Sequence, residues 1–132
     1  MKTDANNLVY QDLSYQVVGM AMQVHRQLGY GFLEKVYENA LAVLLKRAGL
    51  QFTQQAPLKV LFEGVVVGDY FADILVEGKI ILELKSCEGV MPAHRAQVLN
   101  YLKATGMEIG YIFNFGKKSL EHERLVRSLS AE

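Results

Sequence analysis

Between Leu8 and Leu28 the apolar side chains recur at helical spacing, with Val17, Met20, Ala21, Val24 and Leu28 on one stripe. Gly29-Tyr30-Gly31 closes this helix, because glycine accepts the left-handed conformation that follows a helix C-terminus. A second helical pattern runs from Phe32 to Ala48, turns Leu33, Val36, Tyr37, Ala40, Leu41 and Leu44 inward, and ends at Gly49. The period then changes. Phe52 to Phe62 reads as a strand, and Pro57 within it points to a sheet edge or a strand start. Glu63-Gly64 supplies a turn, Val65 to Val76 a second strand and Lys79 to Lys85 a third. Pro92 suits the first turn of a helix that runs to Thr105 and stops at Gly106. Glu108 to Phe115 is nearly all apolar, the pattern of a strand buried on both faces, and Leu120 to Leu129 reads as a last helix. The order ααβββαβα predicts a mixed α/β domain with helices on both faces of its sheet.

The length of 132 residues fits one domain over 1–132, with residues 1–7 as a flexible tail. A hydrophobic share of 51% against 21% charged residues is enough for a packed core. Fourteen basic residues balance fourteen acidic ones, which counts against avid non-specific binding to nucleic acid but leaves room for a local basic groove. The single cysteine, Cys87, excludes an internal disulfide. The absence of a long apolar stretch argues against a membrane span, and the polar start, Met1 to Asn7, lacks the apolar core of a signal peptide. A cytoplasmic location is the expectation.

The informative segment runs from Asp73 to Lys85, where three charged residues interrupt strands of Ile, Leu and Val. Glu83 and Lys85 share one face of the third strand, since strand side chains alternate. Asp73 joins them or not according to hairpin register. A two-residue turn at Glu77-Gly78 sets Asp73 opposite Leu82, on the wrong face. A three-residue loop, Val76-Glu77-Gly78, sets it opposite Ile81, on the Glu83 face, and this odd loop is the expected one. Such a cluster suits a hard divalent cation, which takes carboxylate oxygens, polarises a phosphoryl group and acidifies a bound water. The spacing alone equally fits a half-exposed strand bearing a Glu–Lys ion pair.

A resemblance weighs between these alternatives. Asp73, nine residues, then Glu83-Leu84-Lys85 resembles the D…(D/E)XK signature of the restriction-endonuclease-like, or PD-(D/E)XK, nuclease superfamily. Within it, Gly31-Phe32-Leu33-Glu34-Lys35-Val36-Tyr37 looks like the motif of the GxxExxY family of small prokaryotic proteins. Val24 to Gly29, Gln97 to Lys103 and Asn114-Phe115-Gly116 agree, so the likeness spans His25 to Gly116. It implies a three-layer core with a central mixed sheet of about four strands flanked by helices. It also implies a Mg²⁺ or Mn²⁺ ion held by Asp73, Glu83 and the Leu84 backbone carbonyl, with Lys85 serving the attacking water. Glu34 matches a position where many superfamily members carry an extra acidic residue near the metal. Gln97 and Tyr101 resemble the Gln-xxx-Tyr motif of helicase-associated nucleases. One departure stands out: Tyr70-Phe71-Ala72, before Asp73, lacks an arginine expected in many relatives.

Around this core, His94, Gln97 and Tyr101 fall on one helical face, either lining a substrate groove or forming an ordinary amphipathic surface. Glu34 also suits a helix's first turn by its charge alone, and Glu38 reads as a surface residue. His25 reads as a helix-end residue and Cys87 as inert, while three scattered histidines argue against zinc. Arg95, Lys103, Lys117 and Lys118 are the candidates for phosphate contacts. The functional expectation is a Mg²⁺-dependent nuclease acting on DNA ahead of RNA. The alternatives are an idle nucleic-acid- or protein-binding module, or a subunit that needs a partner or a second copy. The apolar side of the last helix, Leu120, Leu125, Val126 and Leu129, would supply that contact or pack on the sheet.

Overall fold

The computed structural model describes residues 10–127. Two helices, α1 (Gln11–Leu28) and α2 (Glu34–Arg47), precede three strands, β1 (Phe52–Phe62), β2 (Val65–Val76) and β3 (Ile80–Lys85). Helix α3 (Pro92–Thr105) then leads to β4 (Ile109–Asn114) and β5 (Glu121–Val126). The strands form one five-stranded sheet in the order β1-β2-β3-β4-β5. Only β3 and β4 run parallel, and α3 is the crossover between them. Pro57 lies in β1, an edge strand where its missing N–H removes no bond from the sheet interior.

Helices cover both faces, as the hydrophobic pattern predicts. On one side Val17, Ala21, Tyr37 and Leu41 pack against Ile74, Ile80, Leu82 and Phe113. On the other, Val98, Tyr101 and Leu102 of α3 pack against Leu58, Ala72, Ile81 and Ile112. Every residue of β4 is buried, as its apolar run requires.

The end of the chain departs from the helical expectation for Leu120 to Leu129. Residues Glu121–Val126 are a strand, β5, so the sheet has five strands rather than four and the order becomes ααβββαββ. The reason lies in β4, whose buried backbone groups on that side need partners; six antiparallel pairs from Ile109↔Val126 to Asn114↔Glu121 supply them. The charges then alternate with period two. Glu121 and Glu123 turn toward α3 and its preceding loop, where Arg95 and Val90 N–H meet them, while His122 faces the Phe113 ring. Leu120 and Leu125 pack on the two cores, so among the described residues this segment presents no apolar helix face to a partner. Leu129 and the proposed tail 1–7 lie outside the described residues. Among the described residues no helix is long and apolar enough to cross a membrane.

Several motif residues turn out to knit this frame. The Tyr37 ring is fully buried, stacks on Phe115 at 4.5 Å and 9°, and its hydroxyl donates to the Gly29 carbonyl at 2.7 Å. His25 Nε2 donates to the Lys117 carbonyl at 2.7 Å, tying the end of α1 to the loop before β5. Asn114 accepts from Cys87 N–H at 3.0 Å and donates to the Cys87 carbonyl at 3.1 Å, which fixes the chain as it leaves β3. Gly116 lies against the same backbone, where an added Cβ would stand 2.3 Å from Cys87 N and O. Gly116→Ala is therefore expected to destabilise the protein by about 3 kcal/mol or more in urea unfolding. Gly89→Ala, in open space, should change stability by less than about 1 kcal/mol. Equal midpoints for the two variants would contradict this packing.

Candidate active site

The β2–β3 hairpin sets the site. Its ladder holds three pairs, Val76↔Ile80, Leu75↔Ile81 and Ile74↔Leu82, and then ends. Glu77, Gly78 and Lys79 form the loop, with left-handed φ of 54° and 63° at Glu77 and Gly78. The loop has three residues, as expected, but sits one position further along than Val76-Glu77-Gly78. Continued by one step, the register sets Asp73 across from Glu83 rather than from Ile81. The parity expectation holds and the partner is closer than predicted.

At that step the two strands exchange side chains for backbone bonds. Asp73 N–H donates to Glu83 Oε2 at 3.1 Å, and Leu84 N–H donates to Asp73 Oδ2 at 2.7 Å. Each carboxylate thus fills the gap where the ladder opens, while β3 stays paired with β4 from Ile80 to Lys85. The β1–β2 ladder breaks at the same level: it passes from Gln54↔Ile74 to Ala56↔Ala72, omitting Gln55 and Asp73. Gln55 holds a left-handed φ of 52°, unusual for a side chain of its kind in a strand. Ala72 packs in the α3-side core and Ile74 in the opposite one, so β2 reverses its facing at Asp73.

Gln55 is one of two residues that sequence reasoning missed. Its Nε2 donates to Glu38 Oε1 at 3.0 Å and lies 3.4 Å from Asp73 Oδ1. Glu38 is only 3% exposed, not the surface residue its helical position suggested. Gln54 Nε2 at 2.7 Å and Lys35 Nζ at 3.2 Å complete its hydrogen bonds. The consecutive glutamines Gln54-Gln55, opposite an acidic helix, were the only signal of this link.

The pair is strongly perturbed. Burial pushes the Glu83 carboxyl up to about 8; the Asp73 charge adds to this, while the Asp73 N–H and the Lys85 charge oppose it. Burial likewise raises Asp73, against the lowering effect of the Leu84 N–H and Gln55 bonds, and the Glu38 and Glu34 charges raise it further. Burial and then the Glu83 charge raise the Tyr101 phenol.

Of the residues singled out by sequence, Asp73, Glu83 and Lys85 are thus brought together. Tyr101 is buried beside them on α3 and takes a hydrogen bond from Gln97 Nε2 at 2.9 Å. Glu34 is exposed at the start of α2; its charge reaches both carboxylates, yet no three acidic, His or Cys side chains among the described residues converge as a metal cluster. His94 serves its own helix, its Nδ1 accepting from Met91 N–H at 3.0 Å. Arg95 is bound to Glu123 by two bonds of 2.6 and 2.7 Å and is not available for phosphate. Lys117 lies 3.9 Å from Glu121. The donor set fits a divalent cation: two carboxylates oriented by backbone N–H groups, whose mutual repulsion a cation would relieve.

A mixed sheet between helical layers, parting at an acidic pair with a lysine two residues on, defines a restriction-endonuclease-like α/β domain. Residues 11–127 match the PD-(D/E)XK nuclease superfamily, and the chain belongs to it. Comparison with curated protein sequences yields no match. The crystal structure of SSO0001 is similar with a TM-score of 0.53 and 17% identity, over 73% of this chain and 50% of that one. An alkaline exonuclease from Laribacter hongkongensis, LHK-Exo, has a TM-score of 0.53 at 14% identity, over 83% of this chain and 68% of its own. Its complex with dAMP gives 0.55 at the same identity and coverage. The chain spans half of SSO0001 and about two thirds of the exonuclease, and at these identities the likeness is one of fold. Nucleases of this superfamily typically use divalent metals.

The raised Glu83 carboxyl carries a pH signature. Its ordinary value is 4.5 and its folded value about 8, so its stabilising contribution is complete below the first and lost as pH rises through the second. The shift of Asp73 acts in the same sense. In EDTA the Tm should therefore fall between about pH 5 and 9, and Glu83→Gln, which cannot ionise, should fall less steeply. Parallel melting profiles for the two proteins would contradict the assignment.

Proposed function

We propose that this protein is a divalent-metal-dependent nuclease, using Mg²⁺ or Mn²⁺ to hydrolyse phosphodiester bonds, on DNA ahead of RNA. The observation that carries the reading is the crossed Asp73–Glu83 pair beside Lys85, held at the point where β2 and β3 part. Backbone donors orient both carboxylates on buried strands, and burying two acidic groups side by side is costly enough to require a use.

In this reading Asp73, Glu83 and the Leu84 carbonyl hold the ion, with the outlying Glu34 as an additional acidic ligand. When bound, the ion supplies a polarised phosphoryl oxygen and an acidified water. Lys85 shares the Glu83 face and is placed to orient that water and offset the charge that develops on the phosphate. Gln55, anchored on buried Glu38, keeps Asp73 Oδ1 from turning away. Tyr101, with its hydroxyl fixed by Gln97, borders the substrate side. The dAMP bound to LHK-Exo and the shared fold support nucleic acid as the substrate class. The motif Gly31 to Tyr37 further supports placing the chain in the GxxExxY family, and in this reading the chain is a single catalytic domain over 1–132 working in the cytoplasm.

A second reading is a nucleic-acid- or protein-binding module on the same fold without turnover, and the net charge of zero suits a protein partner in particular. One experiment separates them. Calorimetric titration with Mg²⁺ and Mn²⁺, then incubation with labelled DNA and RNA, would be run on wild type, Asp73→Ala and Lys85→Ala. The nuclease reading predicts metal-dependent cleavage by wild type, no metal binding by Asp73→Ala, and Lys85→Ala binding metal but cleaving at least ~100-fold more slowly. Equal cleavage by wild type and Asp73→Ala, or no metal binding by wild type at millimolar concentration, would overturn it.

A further inference from the structure

Beside the acidic pair, on the α3 side of the sheet, the β1–β2 hairpin and α3 enclose a cleft of about 810 Å³. Val60, Leu61 and Tyr70 form one wall and Ala96, Asn100 and Lys103 the other, with Gln97 and Tyr101 also in the lining. Tyr101 belongs both to the cleft lining and to the surroundings of the acidic pair, since its phenol feels the charge of Glu83.

Its walls are unusual for a nucleic-acid protein. Lys103 is the one charged side chain among the lining residues, and the whole chain carries no net charge. Attraction to a phosphate backbone is correspondingly weak, since that grows with the number of phosphates neutralised. The lining instead offers an aromatic surface. Tyr70 is 47% exposed, and its ring centroid lies 5.7 Å from that of Tyr101 at a tilt of 48°. The Tyr70 ring lies close to Gly68: a Cβ there would approach its Cε2 to 3.0 Å, so a side chain at that position would crowd the ring. Asn100, exposed on the opposite wall, presents both a donor and an acceptor.

We propose that this cleft binds the unpaired bases of a single-stranded nucleic acid, with one base stacked on Tyr70, and feeds the adjoining phosphodiester to the acidic pair. The proposal deepens the nuclease reading and rests on it for what the strand meets beyond Tyr101. Bases in a duplex are stacked on one another and cannot give their faces to a side chain, whereas unpaired ones can, whether DNA or RNA. The volume is in the range that encloses a small ligand rather than a double helix.

The test is binding by the full chain in EDTA, where no metal-dependent cleavage occurs. The probes are labelled oligothymidylate, oligouridylate, an abasic strand of the same length and a blunt duplex. At least one of the two base-bearing strands should bind about ten-fold or more tightly than the abasic strand and the duplex. The tighter of the two identifies the source. Tyr70→Ala should lose about ten-fold in that affinity and Tyr70→Phe should retain it, because the ring face is what is used. Abasic strand or duplex binding as well as the base-bearing strands would overturn the proposal, as would Tyr70→Ala binding like wild type. The comparison of strands on wild type decides the matter even if Tyr70→Ala does not fold. Failure here leaves metal-dependent cleavage standing, and base-dependent binding without cleavage would sink the nuclease reading alone.

Discussion

The structure turns on one exchange of hydrogen bonds, Asp73 N–H to the Glu83 carboxylate and Leu84 N–H to the Asp73 carboxylate. Two antiparallel strands that part within a sheet leave backbone donors without partners, and buried donors must find acceptors. Here the acceptors are the two acidic side chains themselves. Beyond the parting β3 keeps its other neighbour, β4, to which it is paired in parallel from Ile80 to Lys85 through the crossover α3. The acidic pair is thus tied to the topology, because the same residues end one ladder and occupy the resulting gap.

This arrangement is held against its own electrostatics. Burial pushes both carboxyls up, Glu83 to about 8 with the Asp73 charge adding to it, and Asp73 further by the Glu38 and Glu34 charges. Gln55, in a left-handed conformation opposite Asp73, links the pair to the buried Glu38. Strain of this kind persists only where the surroundings over-determine it, and it gathers at functional sites. The surroundings are rigid here. Tyr37 stacked on Phe115, His25 bound to Lys117, and Asn114 clamping Cys87 fix the frame around the end of β3. Motif residues that read as candidates for chemistry therefore divide into those that build the frame and those that meet at the gap.

Much of this was legible in the chain. Period-two and helical stripes, punctuated by Gly29, Gly49, Gly106 and Pro92, mark α1 to α3 and β1 to β4 nearly to the residue. The facing of Asp73 followed from strand parity once an odd loop was assumed. The loop's position did not, because it depends on Glu77 adopting a left-handed φ that its residue type seldom takes. β5 was hidden for another reason: Glu121 to Val126 has no strong pattern of its own and becomes a strand by pairing with the edge of β4. Burial of Glu38 and capture of Arg95 by Glu123 are likewise contacts between distant segments, which local spacing does not encode.

The central claim is that the crossed pair exists to hold a divalent cation. A crystal of the wild-type protein grown with Mn²⁺ and measured for anomalous scattering locates the ion directly. The account predicts a peak coordinated by Asp73 and Glu83 at the parting of β2 and β3, absent from crystals of Glu83→Gln. A map with no peak at that pair, or an ion bound elsewhere on the surface in both proteins, would contradict it.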